Sequence, residues 1–402
     1  MKTVLAVLVV MALGGGVARA QDDPLPQSVA RAYLAYEDAL VAGDDEAALQ
    51  AAEAAWRAAR EERIDAELIG ILAENYGNLA LSQGQAEAAY PAWRDAAQIS
   101  DRLRAPAQER ASRWYRASLS AFADERLYDA RQCSLNASRA AEASDQPIDP
   151  ALSGEVHYMI AATSGQLGRL NTMAEHAILA VEGFQSAGRP YDRIYANAHY
   201  LSGVGRFFED EATRSILDFH MARGIYATIE SDDQESNLRT SSLWIVLARD
   251  NADAAELAEI DAQIADSDFP DSGFENMWDV EEVAGVYDVD ATPARRRREP
   301  RYPEGAAMGG LDGLVMVRFD ITAQGRPDNI EIVAAAPGGV FDQAVTRAMR
   351  SWQYEPAIID GEPVRREGVL TRFAFTMCDL PTRQACRLQQ EALAAAEAEE
   401  DD

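Results

Sequence analysis

Apolar and polar residues alternate along the segment 315–321, toward the C-terminal end of the chain. A period of two is typical of a strand with one buried face, so this segment predicts a half-buried strand. A glycine turn at 324–326 leads to a second short strand at 330–334, and we expect a last strand at 369–377. Apolar residues at helical spacing predict one helix between them; these are Phe341, Val345, Ala348 and Trp352. The pattern predicts a β-β-α-β unit, in which the helix covers a three-stranded antiparallel sheet.

Helical spacing dominates residues 26–267, and there the pattern also repeats. The repeats align on anchors separated by 41, 42, 42 and 42 residues, namely Gly43, Gly84, Arg126, Gly168 and Asp210. A small residue follows each anchor by twelve positions: Ala55, Ala96, Ser138, Ala180 and Ala222. Small residues at fixed positions let paired helices approach closely, and stacked helix pairs bury a continuous core. The region resembles a tetratricopeptide array with hairpins longer than the usual length of about 34 residues. An irregular bundle of alanine-rich helices is the alternative.

These patterns predict an α+β multidomain protein, in which an all-α helical-repeat solenoid precedes the small β-β-α-β domain. The expected order is a signal peptide at 1–20, repeats at 26–267, a linker at 268–299, the sheet domain at 300–377 and an acidic tail at 378–402. We expect few contacts between array and sheet domain, which would then fold separately. The arginine run 295–298 is expected to be solvated in the linker or to rest on the acidic array.

The N-terminal segment has the features of a secretory signal. Lys2 precedes an apolar run at 3–13, and Ala18-Arg19-Ala20 provides a cleavage site before Gln21. An uncleaved membrane anchor is the alternative, but the run is shorter than the roughly 20 residues that span a bilayer, and glycines at 14–16 interrupt it. Cleavage predicts a periplasmic protein, and contact with the inner membrane is expected only if the segment is retained.

Charge and cysteine content narrow the class of protein further. The 402 residues carry a formal net charge of −30, and such a surface repels nucleic-acid phosphates. Cys378 and Cys386 are close in sequence, and an oxidising compartment would favour a disulfide between them, although two free thiols remain an alternative. Cys133 lies on a helical pattern and is predicted to be a buried apolar residue.

No catalytic or cofactor motif occurs in the sequence. A nucleophile elbow, a phosphate-binding glycine loop and a zinc-binding helix motif are all absent, and no cofactor is predicted. The four histidines, His157, His176, His199 and His220, all lie in the array. A metal site built from them is an alternative that would require the side chains to converge.

A set of motifs in the sheet domain carries a family resemblance. In order, these are Pro300-Arg301-Tyr302-Pro303, the strand beginning at Gly313, Gly325, Phe341-Asp342, Trp352-Gln353-Tyr354-Glu355-Pro356 and Gly361-Glu362-Pro363-Val364. This ordered set resembles the C-terminal domain of the TonB family. The resemblance implies a Gram-negative periplasmic domain that binds an extended peptide of outer-membrane receptors by adding it to a sheet edge.

The resemblance also implies which residues contact a partner. The last strand is the expected sheet edge, and the segment just before the first strand matches a second receptor-contacting segment of the family. The predicted contact residues are Leu370, Arg372, Ala374 and Thr376 in the strand, and Glu299, Pro300, Arg301 and Tyr302 in the segment. Family members often carry Gln where Glu299 stands. Tyr302, Phe341 and Trp352 are also expected to be structural residues of the domain.

The function predicted from the sequence is that of a non-catalytic periplasmic adaptor that binds outer-membrane receptors or other envelope proteins. The first alternative is a membrane-anchored energy transducer for outer-membrane transport. In the family, a transducer carries Ser and His in its anchor helix, and residues 3–18 contain neither. The second alternative is an envelope enzyme with a metal site in the array.

Overall fold

A computed structural model of the protein describes residues 25–209, 211–270, 294–308, 311–359 and 362–375. The predicted signal peptide, the acidic tail, Thr376, Cys378 and Cys386 lie outside these residues, so the disulfide stays a prediction. Among the described residues, no helix combines the length and the apolar character needed to cross a membrane. The chain divides into two compact units, residues 1–167 and 168–402.

The described part of the first unit consists of helices joined in antiparallel succession. They are α1 (Gln27–Ala42), α2 (Asp45–Glu61), α3 (Ala66–Ser82), α4 (Ala86–Leu103), α5 (Ala107–Ala123), α6 (Leu127–Glu142) and α7 (Pro150–Gln166). The anchors Gly43 and Gly84 lie in the turns between paired helices with φ of 68° and 72°, a conformation that favours glycine. Arg126 caps the start of α6 in the next turn.

The small residue of each repeat is buried, as the helical-repeat prediction requires. In the first unit, Ala55, Ala96 and Ser138 are 1%, 0% and 6% exposed. A similar close approach occurs where Gly77 of α3 faces the Trp93 indole of α4, since a Cβ at Gly77 would lie 2.7 Å from Nε1. Helices therefore meet at short distances because one partner presents almost no side chain. The prediction of a helical repeat array is confirmed.

The second unit continues with helices and ends in the sheet domain. Its helices are α8 (Leu170–Ser186), α9 (Arg193–Phe208), α10 (Ala212–Ala227), α11 (Gln234–Asp250), α12 (Ala254–Ala265), α13 (Glu304–Met308) and α14 (Asp342–Met349). Its strands are β1 (Ala294–Arg296), β2 (Gly313–Ile321), β3 (Pro327–Ala336), β4 (Gln353–Tyr354), β5 (Ala357–Ile359), β6 (Glu362–Val364) and β7 (Arg366–Phe375).

Three of these strands form the sheet that the alternating pattern predicts. The strand order is β3-β2-β7, and both pairings are antiparallel. Val315 lies opposite Ala335 on one side and Phe373 on the other, so these side chains share the inner face. Helix α14 covers that face with buried Val345 and Met349. The predicted helix over a three-stranded antiparallel sheet is confirmed, although the helix ends at Met349 and Gln353–Tyr354 forms a short strand.

The outer face of the sheet is also buried, contrary to the sequence prediction. Leu314, Met316, Ala334 and Ala336 belong to one core cluster with Leu243 and Trp244 of α11. Leu314 is 3% exposed, whereas a half-buried strand would place it in water. The expectation of few contacts between the array and the sheet domain is therefore wrong, because apolar residues on the second face find their partner in the array.

The backbone of the arginine run pairs with the sheet domain, while the side chains of the run are exposed. Strand β1 pairs with β4, and the Arg298 carbonyl accepts a hydrogen bond of 2.7 Å from Trp352 Nε1. The Arg297 guanidinium lies 4.8 Å from the Trp352 ring centroid. The expected solvation of the side chains agrees with their exposure, but the run is not a free linker, because backbone pairing and the contact of Arg297 with the Trp352 ring hold it against the sheet domain. The other domain limits taken from the sequence stay predictions.

Candidate functional site: an open sheet edge

Strand β7 forms one edge of the sheet. On one side it pairs with β2, with Arg372 opposite Met316 and Ala374 opposite Leu314. No strand pairs with its other side among the described residues of the chain. Alternate N–H and C=O groups of an antiparallel edge strand point away from the sheet, where another extended chain can accept or donate hydrogen bonds.

From Val369 to Phe375 the side chains of β7 alternate between the buried inner face and the more exposed outer face. Val369, Thr371, Phe373 and Phe375 are buried on the inner face. On the outer face, Leu370 is half-buried and packs against the core shared with α11, while Arg372 and Ala374 are exposed. The core therefore holds the strand extended, and among the described residues no strand occupies its free edge.

The second predicted contact segment, residues 299–302, lies at the C-terminal end of β7. The Tyr302 ring is 5.7 Å from the rings of Phe341 and Phe375, edge-on in both cases, and its hydroxyl donates a hydrogen bond of 2.5 Å to the Leu311 carbonyl. Glu299 and Arg301 are exposed. The structure thus brings the two predicted partner-binding segments together and gives Tyr302 a structural role. Their contact with a partner stays a prediction.

The other end of β7 is held by a buried carboxylate that sequence reasoning missed. Asp320 accepts hydrogen bonds from Arg365 (2.5 Å), the Gly368 N–H (2.9 Å) and Asn329 (2.7 Å). Burial opposes ionisation of Asp320, but these hydrogen bonds and the Arg365 charge hold its pKa below the usual value. Gly368 has φ of 70° beside a register shift, so the carboxylate fixes where regular pairing of β7 begins.

Helix α11 connects the array with the outer face of the edge strand. Burial raises the pKa of Asp250, the last residue of α11, and the positive charge of Arg372 offsets part of that effect. Leu370 packs against the same core cluster as Leu247 and Ala248 of α11. A strand that adds to β7 would therefore lie near the C-terminal end of an array helix as well as beside the sheet.

The histidines do not form a metal centre within the described part of the chain. His199 Nδ1 lies 2.8 Å from Asp218 Oδ1, and Ser202 and Arg206 donate hydrogen bonds to the other carboxylate oxygen. Among the described residues, no group of three or more His, Cys, Asp or Glu side chains is placed to hold a metal ion. A cleft of about 440 Å³ between α10 and α12 is lined by Arg206 and Asp218, whose charges already pair with each other.

Comparison with known proteins identifies the domain that carries this edge. Residues 298–377 match the family model described as the C-terminal part of the Gram-negative bacterial TonB protein. The chain carries a TonB C-terminal domain. The match begins within the arginine run and extends past the end of β7, so it contains both predicted contact segments of the TonB C-terminal domain.

Two curated relatives match stretches of the chain of comparable length. Protein TonB of Escherichia coli is 44% identical over 63 residues, which is 16% of this chain and 26% of that protein. Protein TonB of Pseudomonas aeruginosa is 39% identical over 80 residues, covering 20% of this chain and 23% of that protein. The chain thus matches about a quarter of the length of these relatives. A solved structure of the TonB2 protein from Vibrio anguillarum is 31% identical and covers 22% of this chain and 82% of that chain, with a TM-score of 0.19.

Proposed function

We propose that the TonB C-terminal domain binds an extended segment of another cell-envelope protein by adding it as a fourth strand beside β7. The observation that carries the proposal is the open edge of β7, which no described strand occupies, while packing on both faces of the sheet holds the strand in place. The family match to residues 298–377 supports an outer-membrane receptor as the partner. Backbone pairing requires no particular side chain at every guest position, so receptors with different sequences can share the site.

The expected affinity follows from the number of backbone bonds. A guest that pairs along the stretch 370–375 forms about six hydrogen bonds, each with a net contribution of roughly 0.5–1.5 kcal/mol. The loss of translational and rotational freedom on association opposes these hydrogen bonds with a free-energy cost of at least about 4 kcal/mol. Strand addition alone therefore predicts weak and reversible binding, with Kd above about 1 μM.

We further propose that the chain acts as a TonB-type transducer, with the array as its periplasmic body. The curated relatives support this role better than that of a soluble adaptor. The N-terminal segment, by contrast, favours the adaptor. The two roles differ in whether residues 1–20 remain as a membrane anchor. In both roles the partner binds without a covalent step, and no catalytic residue is assigned.

Peptide titration tests the binding site. Synthetic peptides from the periplasmic segments of the native host's outer-membrane receptors would be added to the full chain, and amide hydrogen exchange would be followed along β7. We expect alternate amides between 369 and 375, which exchange fast in the free protein, to become protected when a peptide binds. Protection confined to surfaces away from β7 would refute the site.

A proline variant provides the matched test. Ala374→Pro places a residue without an N–H at an exposed position of the edge, and Ile358→Pro makes the same change in the β5–β6 hairpin, where the side chain is 60% exposed. We expect Ala374→Pro to weaken peptide binding at least about tenfold and Ile358→Pro to leave it unchanged. Circular dichroism would verify that both variants fold. Parental affinity in folded Ala374→Pro would exclude this edge.

The N-terminus of the protein from its native host separates the two roles. A transducer is expected in washed inner membranes with residues 1–20 retained. A mature N-terminus at Gln21 in the osmotic-shock fluid would contradict the transducer and restore the adaptor.

A further inference from the structure

An exposed strip of arginines runs along the start of the sheet domain. It consists of Arg295, Arg296, Arg297, Arg298 and Arg301, all exposed, and we refer to it as the arginine strip. Arg295 lies 3.6 Å from Glu355, and Arg297 lies over the Trp352 ring. Arg296, Arg298 and Arg301 form no ion pair with any residue that the structure describes. The chain has a net charge of −30, so this strip is a positively charged region in an acidic protein.

The described part of the chain ends next to this strip. The Phe375 ring is 5.7 Å from the ring of Tyr302, which directly follows Arg301. The sequence becomes strongly acidic from Glu391 onward, whereas residues 376–387 contain Asp379, Arg383 and Arg387. Within the acidic tail, 378–402, the stretch 388–402 contains six carboxylates and no basic residue: Glu391, Glu397, Glu399, Glu400, Asp401 and Asp402. The last described residue before this acidic sequence therefore lies near the strip.

We propose that the acidic tail docks on the arginine strip of the same chain. Glu391 follows Phe375 by sixteen positions, and a flexible chain of that length has a root-mean-square span of about 22 Å. Such a tether gives the carboxylates an effective concentration on the order of millimolar at the strip. Each exposed ion pair contributes at most about 1 kcal/mol, so several pairs form a weak contact that added salt removes.

Docking would cover part of the second predicted contact segment. Arg301 belongs to both the arginine strip and the segment 299–302, so a docked tail would compete with a partner there. This consequence rests on the proposed function, whereas the docking itself does not. A partner that must displace the tail would bind the full chain a few-fold more weakly than it would bind a chain without the tail.

The lysine content of the chain permits a direct test. Lys2 is the single lysine of the sequence, so a carbodiimide that joins amines to carboxylates at contact distance has few natural targets. The full-length variants Arg298→Lys and Arg301→Lys keep the charge of the strip and add one reactive amine each. Arg104→Lys places the same amine at an exposed turn after α4 and is the matched control.

We expect mass spectrometry to find the new lysine at 298 or 301 joined to carboxylates of the acidic tail, and the lysine at 104 not joined to them. The yield should fall about fivefold in 0.5 M NaCl, because screening removes the attraction. Adding Arg295→Gln and Arg296→Gln to Arg301→Lys should reduce the cross-link yield by a similar factor. If the tether alone brought the groups together, the yield would not change, and that result would overturn the proposal.

Isotopic mixing identifies the source of the tail. In an equal mixture of ¹⁵N-labelled and unlabelled chains, docking within one chain yields only cross-links of uniform label. Mixed-label products as the main species would assign the strip to the tail of a second copy and overturn the proposal. Cross-links only to carboxylates outside the acidic tail, including those of residues 271–293 just before the strip, would also overturn it. Because no receptor peptide is added, failure here leaves the proposed function untouched, and failure of peptide binding leaves the docking result untouched.

Discussion

The most discriminating prediction concerns the outer face of the sheet, where Leu314 meets helix α11. Leu314 is 3% exposed and belongs to the cluster that includes Leu243 and Trp244. Replacing a fully buried leucine by alanine removes apolar contacts and leaves a cavity, with a typical cost of 2–5 kcal/mol. We expect Leu314→Ala to destabilise the second unit by about 3 kcal/mol. On an open sheet face the same change would cost less than about 1 kcal/mol.

Hydrogen exchange resolved by peptide measures both the size and the location of the effect. A loss of about 3 kcal/mol corresponds to exchange on the order of 150-fold faster for amides that exchange through the affected opening. We expect this acceleration in β2 and also in α11, because one shared core stabilises both. Wild-type exchange rates would serve as the reference for each peptide.

Two results would refute the reasoning. Acceleration in β2 with no change in α11 would show that the array helix and the sheet do not share a core. A destabilisation below about 1 kcal/mol would show that water already reaches the outer face. Ile358→Ala is the matched control, since Ile358 is 60% exposed and its truncation is expected to change stability by less than about 0.5 kcal/mol.

Three further predictions concern single residues. Asp320→Asn should destabilise the protein by about 2 kcal/mol at neutral pH. Because the pKa of Asp320 is lowered in the folded state, its contribution to stability is complete above the unfolded pKa of about 3.9 and is lost as pH falls through the folded pKa. The stability of the variant, measured in an acid titration, should therefore depend less on pH than that of the wild type. Burial raises the pKa of Cys133 to about 12, so iodoacetamide at pH 8 should label its peptide only after unfolding, and labelling of the native chain would contradict this burial. Gly325→Ala should destabilise the sheet domain by at least about 2 kcal/mol, measured by urea titration. Gly325 has a φ of 76°, and a Cβ at this position would lie 2.0 Å from the Tyr354 carbonyl oxygen. A variant as stable as the wild type would refute that geometry.

Local sequence pattern was sufficient to predict the main strand, the helix and the repeat turns. The alternation from Val315 to Ile321 and the helical spacing after Phe341 depend on neighbours along the chain, so the strand and the helix could be predicted without the fold. The repeat anchors Gly43 and Gly84 were readable for the same reason, because a turn with positive φ has a residue preference of its own. The position of β7 at a sheet edge follows from strand order, and the family resemblance supplied it.

Contacts between distant segments were not readable in the same way. The apolar outer-face positions Leu314, Met316, Ala334 and Ala336 were a usable signal, but nothing in the sequence says that α11 covers them. The Asp320 carboxylate joins Arg365 and Gly368, which follow it by 45 and 48 residues. The sequence contains many acidic residues, and no local pattern distinguishes Asp320 as the one that forms these hydrogen bonds.

The sequence by itself determined the two kinds of structure, the repeat period and the family of the C-terminal domain, because periodicity, turn residues and ordered motifs act through short-range sterics and the burial of one face. Only the tertiary structure decided that the array and the sheet share a core, that the arginine strip belongs to the sheet domain, and that the segment 299–302 lies beside the end of β7. The physical reason is that apolar burial is non-directional. A sequence shows which surface must leave water, and the folded chain selects the surface that covers it.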